Sequence, residues 1–469
     1  LGALRGIPKG LLLRLEAEVG PENTLISEEE KEPYAHDESP GLRFMPDAVV
    51  KPGSAGEVSR VVEAAASWGV PVVPRGLGTG LSGGALAVHG GVVISLERMN
   101  SILEIDEENL VAVVEPGLVV GHLHLAVEAL GLFYPPDPAS LESCSIGGNL
   151  AENAGGPRAF KYGVTSHYVS GVEVVLPSGE LVRWGGKVVK NVSGYDISHL
   201  FVGSEGTLGV FTKAFLRLRP LPPTRCDLLV PFADIGQAMG TVTKIVAGKG
   251  IVPALLEFSD GDSFRIAHEA LGKPPFFPGA DALLIIGIDG DDEEEVERRS
   301  SIVGDLCLQE GACDVMVATT LTQKERLWEV RRKLLDVIKG VCEKVELEDV
   351  VVPRAQIPRF VQAVKQASVA HGIPVAAWGH AGDGNVHVTL LKRGVDDAAW
   401  ELGLPRLVET VMDTAVSLGG VITGEHGVGM AKKAFLKKAC GKAELSLMRS
   451  LKRALDPAGI MNPGKILED

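Results

Sequence analysis

What this 469-residue chain lacks narrows its function early. Its six cysteines, Cys144, Cys226, Cys307, Cys313, Cys342 and Cys440, contain no C-x-x-C pair and no cluster of four, which excludes an iron–sulfur site built from this chain alone. Basic residues are in deficit: 46 Lys and Arg stand against 61 Asp and Glu, and the net charge of −15 repels nucleic acid and anionic lipid headgroups. No nucleic-acid partner is expected. No apolar run approaches the roughly eighteen residues of a membrane span, and the longest, such as residues 282–288, have the length of core strands, so no transmembrane span is expected either. Residues 1–10 show no apolar signal core followed by a cleavage site. The expectation is an intracellular, cytoplasmic chain, peripheral at the inner membrane only through a partner. Aromatics are only 5%, yet 45% hydrophobic and 23% charged residues are the proportions of a globular protein. At roughly 100–200 residues per domain, the length accommodates about two to four domains.

Glycine is abundant, with 57 residues concentrated in 76–91, 147–163, 203–209 and 419–429. Between these loops the periodicity alternates. Ser54 with Glu57 predicts a capped helix with Val58, Val61, Val62, Ala65 and Ala66 on one face, leading into a buried strand over 70–73. Strands are also predicted at 91–96, 110–114 and 172–176. Pro220-Leu221-Pro222-Pro223 can continue neither ladder nor helix and marks a domain boundary. Beyond it a strand, helix, strand rhythm runs through 228–231, 235–247 and 253–258, then 283–288, an acidic helix from Asp292, and 314–318. A further strand (348–352) and helix (357–370) lead into 374–380. The predicted class is α+β, with a cap domain of antiparallel sheet carrying helices on one face. Residues 456–465 are too rich in turn formers for a packed helix and read as a tail laid over another part of the chain.

Pro74-Arg75-Gly76-Leu77-Gly78-Thr79-Gly80-Leu81-Ser82-Gly83-Gly84 follows a buried strand, and so few Cβ atoms let backbone N–H groups wrap an anion such as a pyrophosphate. The Rossmann fingerprint fails, since Leu81 takes the third glycine position and a strand is expected next. For this loop alone a tight surface turn reads equally well. Two more glycine loops, 143–156 and 203–209, tip the reading to a large ligand. Through Pro74 to Gly84, Pro135-Pro136-Asp137-Pro138, Ser145-Ile146-Gly147-Gly148-Asn149, residues 203–209 and 456–465, the sequence resembles the vanillyl-alcohol oxidase/p-cresol methylhydroxylase superfamily of flavoproteins. The resemblance runs from about Pro46 to Lys465, in the branch with the glycolate oxidase FAD subunit, D-lactate dehydrogenases and D-2-hydroxyglutarate dehydrogenase.

The resemblance implies a two-subdomain FAD-binding domain of the p-cresol methylhydroxylase type over 1–222, a substrate or cap domain with a metal site over 223–425, and a segment over 426–469 that returns to the FAD domain. It places Pro74, Arg75, Gly76, Gly78, Thr79, Gly80, Ser82 and Gly83 around the FAD pyrophosphate. Asp137, Pro138, Ser143, Gly147, Gly148, Asn149, Asn153 and Gly155 would run along the dinucleotide and flavin. Glu205, Gly206 and Gly209 would lie near the adenosine end, with Asn462 contributed by the tail. Thr79 stands where members with a histidyl-flavin bond can carry His, so the implied FAD is noncovalent.

Residues 378–387, Trp-Gly-His-Ala-Gly-Asp-Gly-Asn-Val-His, read as strand, tight turn, strand, a hairpin that brings His387 back beside His380. Gly424-Glu425-His426-Gly427 forms another glycine-rich turn. Two imidazoles and a carboxylate leave positions open on a divalent metal, Zn in the first place, with Fe or Mn as alternatives. Taken bare, hydrogen-bonded surface histidines are the commoner reading, and His89, His122, His167 and His268 are expected to be such. The resemblance favours the metal, since His380, His387 and Glu425 match the metal motifs of D-2-hydroxyglutarate dehydrogenase and His426 matches its proposed proton acceptor. Arg331 is the expected clamp for a substrate carboxylate, with Arg332 as competitor, and Thr389 a further substrate contact. Where the 2-hydroxyglutarate enzymes carry a lysine for a second carboxylate, this chain has Leu347 between Glu346 and Glu348, which favours D-lactate or glycolate.

The expected activity is therefore FAD-dependent oxidation of a small 2-hydroxy acid to the 2-oxo acid, with hydride passing to flavin N5. Electrons would leave to an iron–sulfur subunit, an electron-transferring flavoprotein, a quinone or a cytochrome. Two alternatives stand beside it: a flavin-using transferase resembling alkyl-dihydroxyacetonephosphate synthase, and a noncatalytic flavoprotein subunit of an oxidoreductase complex.

Overall fold

Ser54 accepts a hydrogen bond from the Glu57 N–H and starts the helix Ala55–Ser67. The reciprocal half of the capping box is displaced by one residue, because the Glu57 carboxylate takes the Gly53 N–H at 2.8 Å. The face Val58, Val61, Val62 and Ala65 is wholly buried against Val50, Val72, Val92 and Ile94, each valine contributing about 1.5–3 kcal/mol on burial. Those last four residues belong to a sheet ordered Thr24–Leu25, Ala48–Val50, Val92–Ser95, Val72–Arg75. Its last three strands are parallel and the first antiparallel. A second sheet, wholly antiparallel, runs Ile102–Asp106, Val111–Val114, Val210–Arg217, Val169–Val175, Leu181–Gly185. The tail is extended, as its turn formers require: Met461 bridges Val72 in parallel, and the Asn462 N–H donates to the Val72 carbonyl at 2.8 Å.

The computed structural model describes residues 6–270, 272, 277 and 279–467. They fall into two units: Leu1–Gly155, Val164–Leu221 and Glu425–Asp469 form one, and Gly156–Gly163 with Pro222–Gly424 the other. Among the described residues no helix is long and apolar enough to cross a membrane.

The second unit is built on seven strands: β1 (Thr224–Phe232), β2 (Leu255–Asp260), β3 (Ala282–Gly290), β4 (Met316–Ala318), β5 (Lys344–Val351), β6 (Val375–His380) and β7 (Asn385–Lys392). Every pairing is antiparallel, in the order β4-β1-β3-β2-β6-β7-β5. Side chains alternate between the faces. On one face Leu229, Leu255, Leu283 and Ile285 pack with Phe264 and Trp328, while Ala376, Trp378 and Leu391 pack with Ala267, Leu334 and Ile338. Leu284, Ile286 and Ile288 alternate to the other face and are equally buried. The anticipated helices Ile235–Thr243, Glu293–Gln309 (capped by Asp292) and Ile357–His371 pack on the sheet as well. The helices Gly261–Ala270, Leu321–Arg332 and Leu334–Val341, absent from the sequence reading, supply Phe264, Trp328 and Leu334 to the first face. Segment 156–163 is also part of this unit: Lys161 pairs with Asp289, and the Tyr162 hydroxyl donates to Asp289 Oδ2 at 2.6 Å. His268, expected at the surface, is buried edge-on against Phe264, with ring centroids 4.3 Å apart, whereas His89, His122 and His167 are exposed.

Candidate active site

In the first unit the parallel strand Val72–Arg75 delivers Pro74 and Arg75 to the glycine loop, and strand Val92–Ser95, not a helix, follows it. Gly78 has φ +73°, and a Cβ there would collide with the Arg75 guanidinium, so this position needs glycine. Gly76 lies against Ser145, the cap of the helix Ile146–Glu152, whose hydroxyl accepts the Gly148 N–H at 3.2 Å. That contact brings Gly147, Gly148 and Asn149 beside the first loop. Thr79, Gly80 and Gly83 complete the loop, with Thr79 half-buried. Asn153 ends the short helix in the left-handed region and accepts the Ser166 N–H at 2.8 Å, ahead of the buried Gly155. His124 Nε2 bonds the Pro136 carbonyl at 2.9 Å and so fixes the chain entering Asp137 and Pro138. Ser143 is exposed, its hydroxyl turned back to the Ser140 carbonyl at 3.2 Å.

The third loop joins the tail. Glu205 accepts the N–H groups of Val428 and Gly429 at 2.8 and 2.6 Å, so both its oxygens serve the chain itself. Asn462 Nδ2 donates to the carbonyls of Gly84 and Glu205 at 2.9 and 2.8 Å, lacing tail, first loop and third loop together. Gly206 lies against Pro74, and Gly209 is required by packing, since a Cβ would stand 2.6 Å from Val174. Arg75 Nη1, Ser82 Oγ, Asn149 Nδ2, Glu152 Oε2 and Ser204 Oγ are buried with no hydrogen-bond partner among the described residues. Buried donors and acceptors left unmade cost about 1–3 kcal/mol each. Five such groups among the glycine loops fit a large polar ligand such as FAD. Glu152 was not anticipated, although it is the only acid in 145–153. Burial, then the charges of Glu205 and Asp37, push its carboxyl well above the ordinary range.

In the second unit the pairing register puts the chemistry on one sheet face. Glu257 of β2 stands opposite His380 of β6, His380 opposite Asn385 of β7, and His387 opposite Asp349 of β5. The rings of His380 and His387 meet edge to face, 5.5 Å between centroids. Glu257 bonds His380 Nδ1 through Oε1 and accepts Arg331 Nη2 through Oε2 at 2.6 Å. Burial alone would raise its carboxyl, but His380 and Arg331 outweigh this and hold it below the usual carboxylate range. Arg331 Nε is buried with no partner among the described residues, while Arg332 is exposed. Asp349 is fully buried and accepts Asn385 Nδ2 at 2.5 Å, Thr423 Oγ1 at 2.9 Å and the Gly424 N–H at 2.8 Å. The Gly424 anchor places the next two residues of the chain, Glu425 and His426. One ligand atom each from His380, His387 and Glu425 lie within 4.8 Å of one another. Asp349, His387 and His426 form a second such group, but Asp349 has both oxygens engaged, so the first group is the better metal set. Two imidazoles and one carboxylate with open positions suit a divalent ion of the zinc kind. Thr389 is fully buried, its hydroxyl without a partner among the described residues, opposite Leu347, which packs with Ala376, Trp378 and Leu391.

Glu257 and the anchoring role of Asp349 were not foreseen. A signal existed for the first: Glu257 is the one charge inside the apolar run Leu255-Leu256-Glu257-Phe258.

Residues 221–466 match the family "FAD linked oxidases, C-terminal domain", and residues 46–185 match "FAD binding domain". The chain belongs to the FAD-linked oxidases. It is 42% identical to the glycolate oxidase subunit GlcD of Bacillus subtilis (strain 168) over 451 residues, 95% of this chain and 94% of that protein. It is 36% identical to a D-lactate dehydrogenase of Anaerostipes hadrus over 96% of this chain and 95% of that one. Among solved structures, p-cresol methylhydroxylase superposes with a TM-score of 0.80 at 20% identity over 99% of this chain and 98% of that one, a likeness of fold. This FAD-linked oxidase is thus an α+β flavoprotein with a p-cresol methylhydroxylase-type FAD-binding fold.

Proposed function

We propose that the chain oxidises a small 2-hydroxy monocarboxylate, of the D-lactate or glycolate kind, to the 2-oxo acid with noncovalent FAD, and passes the electrons to a separate redox protein or quinone. The observation that carries this reading is the cluster on one sheet face: Arg331 and His380 share Glu257, with His387 beside them and the Gly424 anchor leading into Glu425 and His426. Arg331, whose Nε has no partner among the described residues, binds the substrate carboxylate. The ring of His426 takes the proton from the substrate hydroxyl. His380, His387 and Glu425 would hold a divalent ion, which supplies positive charge that makes the hydroxyl more acidic. FAD, when bound among the glycine loops, supplies the acceptor for the hydride that leaves Cα. Leu347, packed with Ala376 and Trp378, favours a short uncharged substituent over a second carboxylate. The names of the relatives support the substrate class, and the name "subunit" supports a redox partner. Steady-state dye reduction with D-lactate, glycolate and D-2-hydroxyglutarate tests it. Turnover with either monocarboxylate well above the dicarboxylate supports the reading, and dye reduction by none of the three overturns it.

A further inference from the structure

Glu257 lies in the middle of β2, with β3 on one side and β6 on the other, and has no solvent exposure. Phe258 and Leu256 flank it in sequence, and Leu255, Leu283 and Ile285 pack on the same sheet face. An ionised carboxylate is tolerated there only if it is paired on both oxygens. Its pairs are two cations, or potential cations, of different purpose: His380 Nδ1 on Oε1 and Arg331 Nη2 on Oε2. The first bond occupies one ring nitrogen of His380 and leaves Nε2 as the nitrogen that can ligate. The second fixes the plane of a guanidinium carried on the separate helix Leu321–Arg332 and leaves the buried Nε as a donor without a partner among the described residues.

We propose that Glu257 is a positioning residue that couples the two halves of the site, presenting His380 to the metal and Arg331 to the substrate carboxylate from one shared charge. The proposal rests on the reading of His380 as a ligand and Arg331 as the clamp. Its physical content is that one anion lets a dication and a guanidinium stand close together. Without it they repel, the imidazole loses the bond that fixes its Nδ1, and both binding events weaken together. Glutamine keeps the shape, but its amide offers only one acceptor oxygen and cannot serve both partners.

The experiment uses the full-length, FAD-loaded protein as wild type, Glu257→Gln and Glu257→Asp, with Zn²⁺ alone as the metal probe. Zn²⁺ affinity is measured by competition with a chromogenic chelator, kcat and KM by dye reduction with the monocarboxylate that wild type uses, and FAD content by absorbance. Glu257→Gln should weaken Zn²⁺ binding by about 10- to 100-fold, the usual cost of losing such a supporting carboxylate. It should also raise KM, with FAD content unchanged. Glu257→Asp, which keeps the charge but is one methylene shorter, should show the same two effects together, each smaller than in Glu257→Gln, and serves as the test if the glutamine variant does not fold. Wild-type Zn²⁺ affinity in Glu257→Gln, or a loss of Zn²⁺ with KM unmoved, overturns the coupling. Failure of wild type itself to bind Zn²⁺ overturns the metal reading on which the proposal stands, a result distinct from either.

Discussion

Asp349→Asn is a change of one atom in the group that anchors the loop carrying Glu425 and His426. Oδ1 of Asp349 accepts Asn385 Nδ2, and Oδ2 accepts Thr423 Oγ1 and the Gly424 N–H. If the new amide nitrogen takes the place of Oδ2, it faces a backbone N–H that cannot turn round, and Gly424 loses its acceptor. If it takes the place of Oδ1, it faces the Asn385 amide, which must flip and give up its 3.0 Å bond to the Val350 carbonyl. Either way one charge-assisted bond is lost and a donor or acceptor is left unmade in a fully buried position. Hydrogen bonds to a charged group contribute about 1.5–3 kcal/mol and an orphaned buried group costs about 1–3 kcal/mol; because the two overlap, the expected loss is about 2–4 kcal/mol. For a unit of some 200 residues that is roughly 5–15 °C in melting temperature. Differential scanning calorimetry of the metal-loaded protein reads the shift, and dye reduction on the same sample should fall with it as the Gly424 anchor loosens. A variant with wild-type melting and wild-type turnover would refute the view that Asp349 organises the site.

Three further outcomes are expected. His426→Ala should lower turnover in dye reduction by about 10² to 10⁴ with FAD content unchanged; undiminished turnover would place the base elsewhere. Acid precipitation should release intact FAD into the supernatant, because Thr79 offers no imidazole for a histidyl bond, and flavin retained on the pelleted chain would contradict this. Glu152 has its native pKa raised above the ordinary 4.5, so the folded state keeps a proton that the unfolded state releases. Its stabilising contribution is complete below about 4.5 and declines as pH rises toward the native value. Thermal melts of the FAD-free protein should therefore show Glu152→Gln gaining on wild type as pH rises from 4 to 8, and parallel profiles would show that Glu152 titrates normally.

The glycine loops were legible because backbone geometry imposes glycine locally: Gly78 needs positive φ and room beside Arg75, three positions away. The histidine hairpin was legible because strand alternation alone puts His387 on one face, and a tight turn returns it to His380. Glu257 was not legible, since its partners lie 123 and 74 residues away and only sheet register brings them together. Asp349 likewise acts on Thr423 and Gly424 across 74 and 75 residues. The helices Gly261–Ala270 and Leu321–Arg332 leave no clear periodicity in the sequence, because each offers the core only one or two large apolar side chains, such as Phe264 and Trp328. His268 was misplaced for a related reason: its burial comes from Phe264, one helical turn earlier, in a helix that the periodicity did not reveal. Segment 156–163 reads as a continuation of the second glycine loop, and tertiary contacts assign it to the other unit: the Lys161 and Tyr162 bonds to Asp289, and Phe160 against Gly382 and Arg354.

Adding D-lactate or glycolate to the FAD-loaded protein under strictly anaerobic conditions and following the visible flavin absorbance tests most directly whether this flavoprotein takes a hydride from a 2-hydroxy acid. One of them should bleach the flavin, one equivalent of 2-oxo acid appearing for each flavin reduced, and Arg331→Ala should abolish the bleaching. Flavin that stays oxidised with every 2-hydroxy acid while dithionite reduces it fully would rule out 2-hydroxy acid oxidation by this protein.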